Sequence, residues 1–127
     1  MPDYDAENFE PPAPVAYVTS RNPATGVLLS DVPMLIDTGA DVTVLPSTAV
    51  EQIGVSTEEG AEFEIQTFDG EIKRLRLARL ELFVLGKKFA GEYLLMDRSI
   101  RILGRNILNN LRILLDGPHS KWVEYKK

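Results

Sequence analysis

Met34-Leu35-Ile36-Asp37-Thr38-Gly39-Ala40-Asp41-Val42-Thr43-Val44-Leu45-Pro46 sets an acid directly after an apolar strand and follows it with a small residue and a glycine. The pattern puts a carboxylate at a sharp turn leaving a sheet, where Gly39 lets other backbone approach closely. Asp-Thr-Gly suits a plain Asx-type turn equally well, so the stretch alone leaves open whether Asp37 does chemistry or only shapes a turn.

Outward from this stretch the chain reads as short strands. Residues 15–18, 26–29 and 34–36 are apolar runs separated by the turn signals Asn22-Pro23 and Ser30-Asp31-Val32-Pro33. Residues 62–68 alternate polar and apolar, as do those from 72 onward, and Asp69-Gly70 between them is the strongest short hairpin signal in the chain. Residues 80–85 and 89–96 form a second pair, joined through Gly86-Lys87-Lys88. A short helix is expected after Gly104, where Ile107, Leu108 and Leu111 recur at helical spacing. Residues 47–53 can form another, capped by Ser47 and ended by Gly54. Many short strands predict an all-β barrel-like or sandwich fold.

The 127 residues, 44% of them apolar, fit one domain with a single core. Residues 1–14 are acidic and end in Glu10-Pro11-Pro12-Ala13-Pro14, a composition that predicts a flexible tail. The domain is expected over residues 15–116, with 117–127 as a C-terminal extension. With no cysteine and only His119, disulfides, thiolate nucleophiles and Cys/His zinc sites drop out together. His119 lies in turn-like Asp116-Gly117-Pro118-His119-Ser120, a poor place for a Ser-His-Asp triad. A net charge of −5 argues against a nucleic-acid partner, and the basic residues 73–79 alternate with apolar ones as the solvent face of a strand does. No signal peptide or membrane-length apolar run is visible, so the expectation is a cytoplasmic protein with no membrane partner.

Two motifs in this order, Leu35-Ile36-Asp37-Thr38-Gly39-Ala40-Asp41 and, far downstream, Ile102-Leu103-Gly104-Arg105-Asn106, with a glycine-bearing hairpin between them, resemble the retropepsins. These are the retroviral-type aspartic peptidases, and the likeness runs from about Val15 to Asp116. It implies a retropepsin-like acid protease barrel with one short C-terminal helix, completed as a homodimer.

The resemblance also implies roles. Asp37, Thr38 and Gly39 would be catalytic: Asp37 meets its symmetry mate across a two-fold axis with a water between them, Thr38 ties the two loops together across the axis, and Gly39 lets substrate backbone lie close. Ala40 and Asp41 would support the site together with Gly104, Arg105 and Asn106, Asp41 and Arg105 as an ion pair whose worth is geometric. Ala40 stands where many pepsin-like enzymes carry a hydroxyl, which implies a higher dyad pKa and a mildly acidic optimum. Leu35, Val44, Ile100 and Ile102 would line the substrate pocket, although ordinary core is an equal reading for them. The hairpin around Thr67, Phe68, Asp69 and Gly70 takes the place of the mobile flap.

A dyad needs two acids in matched loops, and a chain without an internal repeat supplies one. The resemblance therefore implies a homodimer, joined through terminal strands for which residues 15–18 and 111–115 are the candidates. The expected activity is aspartic endopeptidase action on a peptide or protein substrate, with no metal and no cofactor. The competing class is a noncatalytic peptide-binding or scaffolding dimer of the same fold, which the intact Asp37-Thr38-Gly39 disfavours. A site using Asp37 and Asp41 as metal ligands is weak without histidine partners.

Overall fold

The computed structural model describes residues 2–55, 62–66, 69–96 and 101–126. In chain order the elements are β1 (Tyr4–Asp5), β2 (Ala13–Arg21), β3 (Leu28–Ile36), β4 (Val44–Pro46), α1 (Ser47–Gln52), β5 (Glu62–Gln66), β6 (Ile72–Val84), β7 (Lys87–Met96), β8 (Ile102–Leu103), α2 (Arg105–Leu108), β9 (Ile113–Asp116) and β10 (Lys121–Glu124). The all-β expectation holds. Eight strands form one sheet in the order β1-β2-β3-β8-β4-β7-β6-β5, and a further β2–β6 pairing closes it into a barrel. A single 3₁₀ turn, Gly117–His119, joins β9 to β10.

Alternation along the strands explains the interior. Ala16 and Val18 on β2, Val32, Met34 and Ile36 on β3, and Ala78, Leu80, Leu82 and Val84 on β6 all point inward and are buried. Glu81, also buried, is neutralised from two strands by Arg21 and Lys88, and the Arg21 hydrogen bond holds its carboxyl below the usual range. Burial pushes the Tyr93 phenol up to about 12, and its hydroxyl donates to the Phe89 carbonyl.

Several local expectations are corrected. Ser30-Asp31-Val32-Pro33 is no turn: β3 runs straight through it, and Asp31 takes a left-handed φ of 57° where the β2–β3 register slips between Val18 and Ser20. That is a bulge, which absorbs a turn-prone residue without ending the strand. The second hairpin turns on Leu85-Gly86 rather than Gly86-Lys87-Lys88, with φ of 51° and 76° and Val84 opposite Lys87. Two consecutive positive φ values are what a two-residue hairpin demands. In α1 the cap is Pro46, not Ser47. Its other end closes as expected on Gly54, whose N–H reaches Glu51 while that of Val55 reaches Val50. The helix α2 is a single turn that ends at Leu108, short of Leu111.

Both termini pack more than their composition suggested. Tyr4 and Asp5 pair with Pro14 and Ala13, the Tyr4 N–H donates to the Ser120 carbonyl, and the Trp122 N–H donates to the Pro2 carbonyl. Trp122, in the stretch set apart as an extension, is buried and its indole N–H donates to the Val15 carbonyl at 2.8 Å. Truncating so large a core side chain costs about 3–5 kcal/mol. Residues 15–18 pair with β3 on one side, and their Val15, Ala16 and Val18 are core. No helix among the described residues is long and apolar enough to cross a membrane.

Candidate active site

Asp37 lies just past the end of β3, and its loop is held from below by the β8–α2 corner. Its N–H donates to the Leu103 carbonyl at 3.1 Å. The Gly39 N–H donates to Asp37 Oδ1 at 3.0 Å and the Ala40 N–H to the Asp37 carbonyl at 3.2 Å. The Asx-type turn is therefore present, and it is the device that holds the acid. Asp37 is half-buried while Thr38 and Gly39 are exposed.

The loop's height is set by Gly104. A Cβ there would stand 2.2 Å from the Val42 carbonyl oxygen and 2.5 Å from its carbon, so only glycine lets the two backbones meet. From this corner three bonds reach up. The Arg105 N–H donates to the Ala40 carbonyl and the Arg105 guanidinium to the Thr38 carbonyl, both at 2.8 Å, and the Gly104 N–H donates to Thr43 Oγ1 at 3.0 Å. The Thr43 hydroxyl in turn donates to Asn106 Oδ1 at 2.7 Å.

Thr43, 1% exposed, is the residue of this corner that sequence reading missed. The signal was there: a lone hydroxyl between Val42 and Val44, just ahead of the apolar strand β4, must find partners when buried. The expected Asp41–Arg105 ion pair is absent. Asp41 is exposed, and the guanidinium spans to the Thr38 carbonyl instead. Arg105 still links loop to helix, through a carbonyl that needs no desolvated carboxylate.

Of the pocket candidates, Leu35, Ile102 and Val44 come together on one rung. Ile102 of β8 pairs with Leu35 of β3 on one side and Val44 of β4 on the other. Leu35 and Ile102 are partly exposed and Val44 is buried. Ile100, Thr67 and Phe68 lie outside the described residues. Asp69 and Gly70 are exposed in the loop between β5 and β6, where Gly70 takes a φ of 83° and the Glu71 N–H donates to Asp69 Oδ1 at 3.2 Å.

A family model described as "gag-polyprotein putative aspartyl protease" matches residues 29–110, which take in the Asp37 loop, the hairpin and the Gly104 corner. The chain belongs to that family. Among solved structures, the EIAV protease complexed with the inhibitor HBY-793 is 22% identical, with a TM-score of 0.58 over 84% of this chain and 91% of that one. The gag-type aspartyl protease chain thus has the fold of a retroviral protease, and the identity carries the likeness no further than the fold. Among curated proteins none matches.

Proposed function

We infer that this chain is an aspartic endopeptidase active as a homodimer, with Asp37 and the Asp37 of a second copy as its dyad. The observation that carries the reading is the state of Asp37: one acid, half-buried at the mouth of a loop pinned by the Gly104 corner, with its Oδ1 engaged by the Gly39 N–H. A single such carboxylate is half of the apparatus.

Two carboxylates brought close about an axis cannot both ionise readily, so they share a proton. The ionised one takes a proton from the water between them as the water attacks the peptide carbonyl. The protonated one donates to the carbonyl oxygen, and a proton later goes to the leaving amine. Thr38 ties the loops across the axis, and Gly39 leaves room for substrate backbone. Leu35, Ile102 and Val44 offer an apolar wall to side chains flanking the scissile bond, with an extended peptide lying under the β5–β6 hairpin as a lid. Dyad chemistry with Ala40 beside it favours a mildly acidic optimum.

The test is peptide hydrolysis between about pH 4 and 7, the range over which a shared proton is held. Asp37→Asn is expected to lower kcat/KM about a thousandfold or more with Tm and solution mass unchanged. Activity that survives the substitution sinks the mechanism. Retained peptide binding without cleavage by the parent chain transfers the reading to the noncatalytic dimer.

A further inference from the structure

The apolar wall beside Asp37 does not end at Leu35. Val15 stands opposite Leu35 across the β2–β3 ladder and Tyr17 opposite Pro33, so these four side chains share one face of the sheet, the reverse of that carrying Met34 and Ile36. Along this face Leu35 gives onto a cavity of about 360 Å³, and Val15, Pro33 and Leu35 itself supply its apolar lining.

Two charged groups line the same cavity, and they are not equally occupied. Asp5 belongs to the N-terminal segment, which also contributes Asn8 and Phe9 to the lining. Its Oδ1 accepts from the Glu7 N–H at 2.9 Å and the Asn8 N–H at 3.1 Å, and its Oδ2 from the Asn8 side-chain amide at 2.8 Å. The Asn8 side-chain amide, with these backbone donors, holds the carboxyl below its ordinary range. The charge of Asp5 is thus taken up in shaping its own loop. Arg101 is placed differently. The Leu35 N–H donates to its carbonyl at 2.9 Å, which fixes its backbone to the wall strand. Its guanidinium makes no ion pair within the chain among the described residues.

Reach from the acid tells which part of a bound peptide meets this cavity. Leu35 and Pro33 precede Asp37 by two and four residues on an extended strand, or about 7 and 13 Å at roughly 3.3 Å per residue. An extended peptide covers the same reach in two to four residues. Its alternate side chains share a face, so a residue that rests on Leu35 beside the scissile bond sets its second neighbour over the cavity.

We propose that the cavity between the N-terminal segment and Arg101 is a substrate subsite for an acidic side chain, glutamate foremost, carried two to four residues from the scissile bond. It rests on the peptidase reading above and gives that reading a substrate class. Val15, Pro33 and Leu35 cover the methylene stem, and the guanidinium of Arg101 takes the carboxylate through paired hydrogen bonds. Glutamate is favoured over aspartate because the apolar lining has a stem to cover. A lysine in the same place meets the like charge of Arg101, while Asp5 already has its donors. Arg101 is therefore a specificity residue, remote from the bond that breaks.

Hydrolysis of a peptide library by the full chain tests it, with Glu, Gln and Lys exchanged at one position at a time on both sides of the bond, at about pH 6, where glutamate is ionised. At one position two to four residues from the bond, kcat/KM is expected to favour Glu over Gln about tenfold, as a charge-assisted hydrogen bond does, with Lys the poorest. The preference should fade toward about pH 4 as the substrate glutamate takes up its proton. Arg101→Met brings the Glu-to-Gln ratio toward one, Arg101→Glu turns the preference to Lys, and Arg101→Lys keeps its direction with a smaller ratio. Each readout is a ratio within one variant, so a general loss of activity does not imitate it. Equal cleavage of Glu and Gln peptides at every position, or a Glu preference that survives Arg101→Met, overturns the subsite and leaves the peptidase reading standing. A preference for Lys in the parent chain gives the cavity to Asp5 and also overturns it. A parent chain that cleaves no member of the library overturns the peptidase reading, and the subsite with it.

Discussion

Around Asp37 the Ala40 carbonyl, the Gly104 amide and the Thr43 hydroxyl are all bonded within the chain, whereas along β9 the Tyr125-to-Arg112 bond sets a register in which the amides of Ile113 and Leu115 point away from β10, its strand partner among the described residues. One region is finished by its own sequence and the other is open. The difference divides the labour of a proposed two-chain site. Each copy builds its loop before meeting its partner, so association need not spend free energy on ordering the acid.

The sharpest way to break this contrast is Gly104→Ala. The new methyl lands on Val42 backbone, which cannot swing aside, so a loss of about 3 kcal/mol or more is expected, seen in calorimetry as a Tm lower by roughly 10 °C. A tolerated alanine would mean the corner is looser than its geometry. Thr43→Val keeps the shape and deletes the hydroxyl, leaving the buried Gly104 N–H without its acceptor. Its cost should be about 2 kcal/mol by urea denaturation. Arg105→Lys probes the exposed side of the same corner. The bond to the Thr38 carbonyl is solvent-accessible, so a loss of about 0.5–1 kcal/mol is expected, and a loss as large as that of Thr43→Val would contradict the view that the interior bonds dominate.

Much of the centre could be read from residues because its parts are short and chemically specific. An acid with a glycine two places on makes its own turn, and a glycine between apolar residues and Arg105 marks a close backbone approach. The partners of that corner were less legible. Asp41 and Arg105 have complementary charges, yet the guanidinium takes the Thr38 carbonyl, three positions nearer the acid. Thr43 looks apolar by neighbourhood and acts as a polar bracket by burial. Farther out, Asp31 belongs to a bulge because the barrel needs β3 unbroken on both sides of it, and no local propensity records that need. Pro2 to Asp5 and Trp122 lie at opposite ends of the chain, and each gains its place from the other. Composition read one end alone as a tail because the benefit of packing is shared across the whole length.

The bonds from Thr43 to Gly104, from Thr43 to Asn106 and from Arg105 to Thr38 close loops spanning 61, 63 and 67 residues. Contacts so distant in sequence form late, after the entropy of the intervening chain has been spent. A growing polypeptide that has made Asp37 but not yet Gly104 holds the acid on an unsupported turn. Any hydrolytic power that rests on this loop is therefore withheld until the Gly104–Asn106 corner that supports it has also been made.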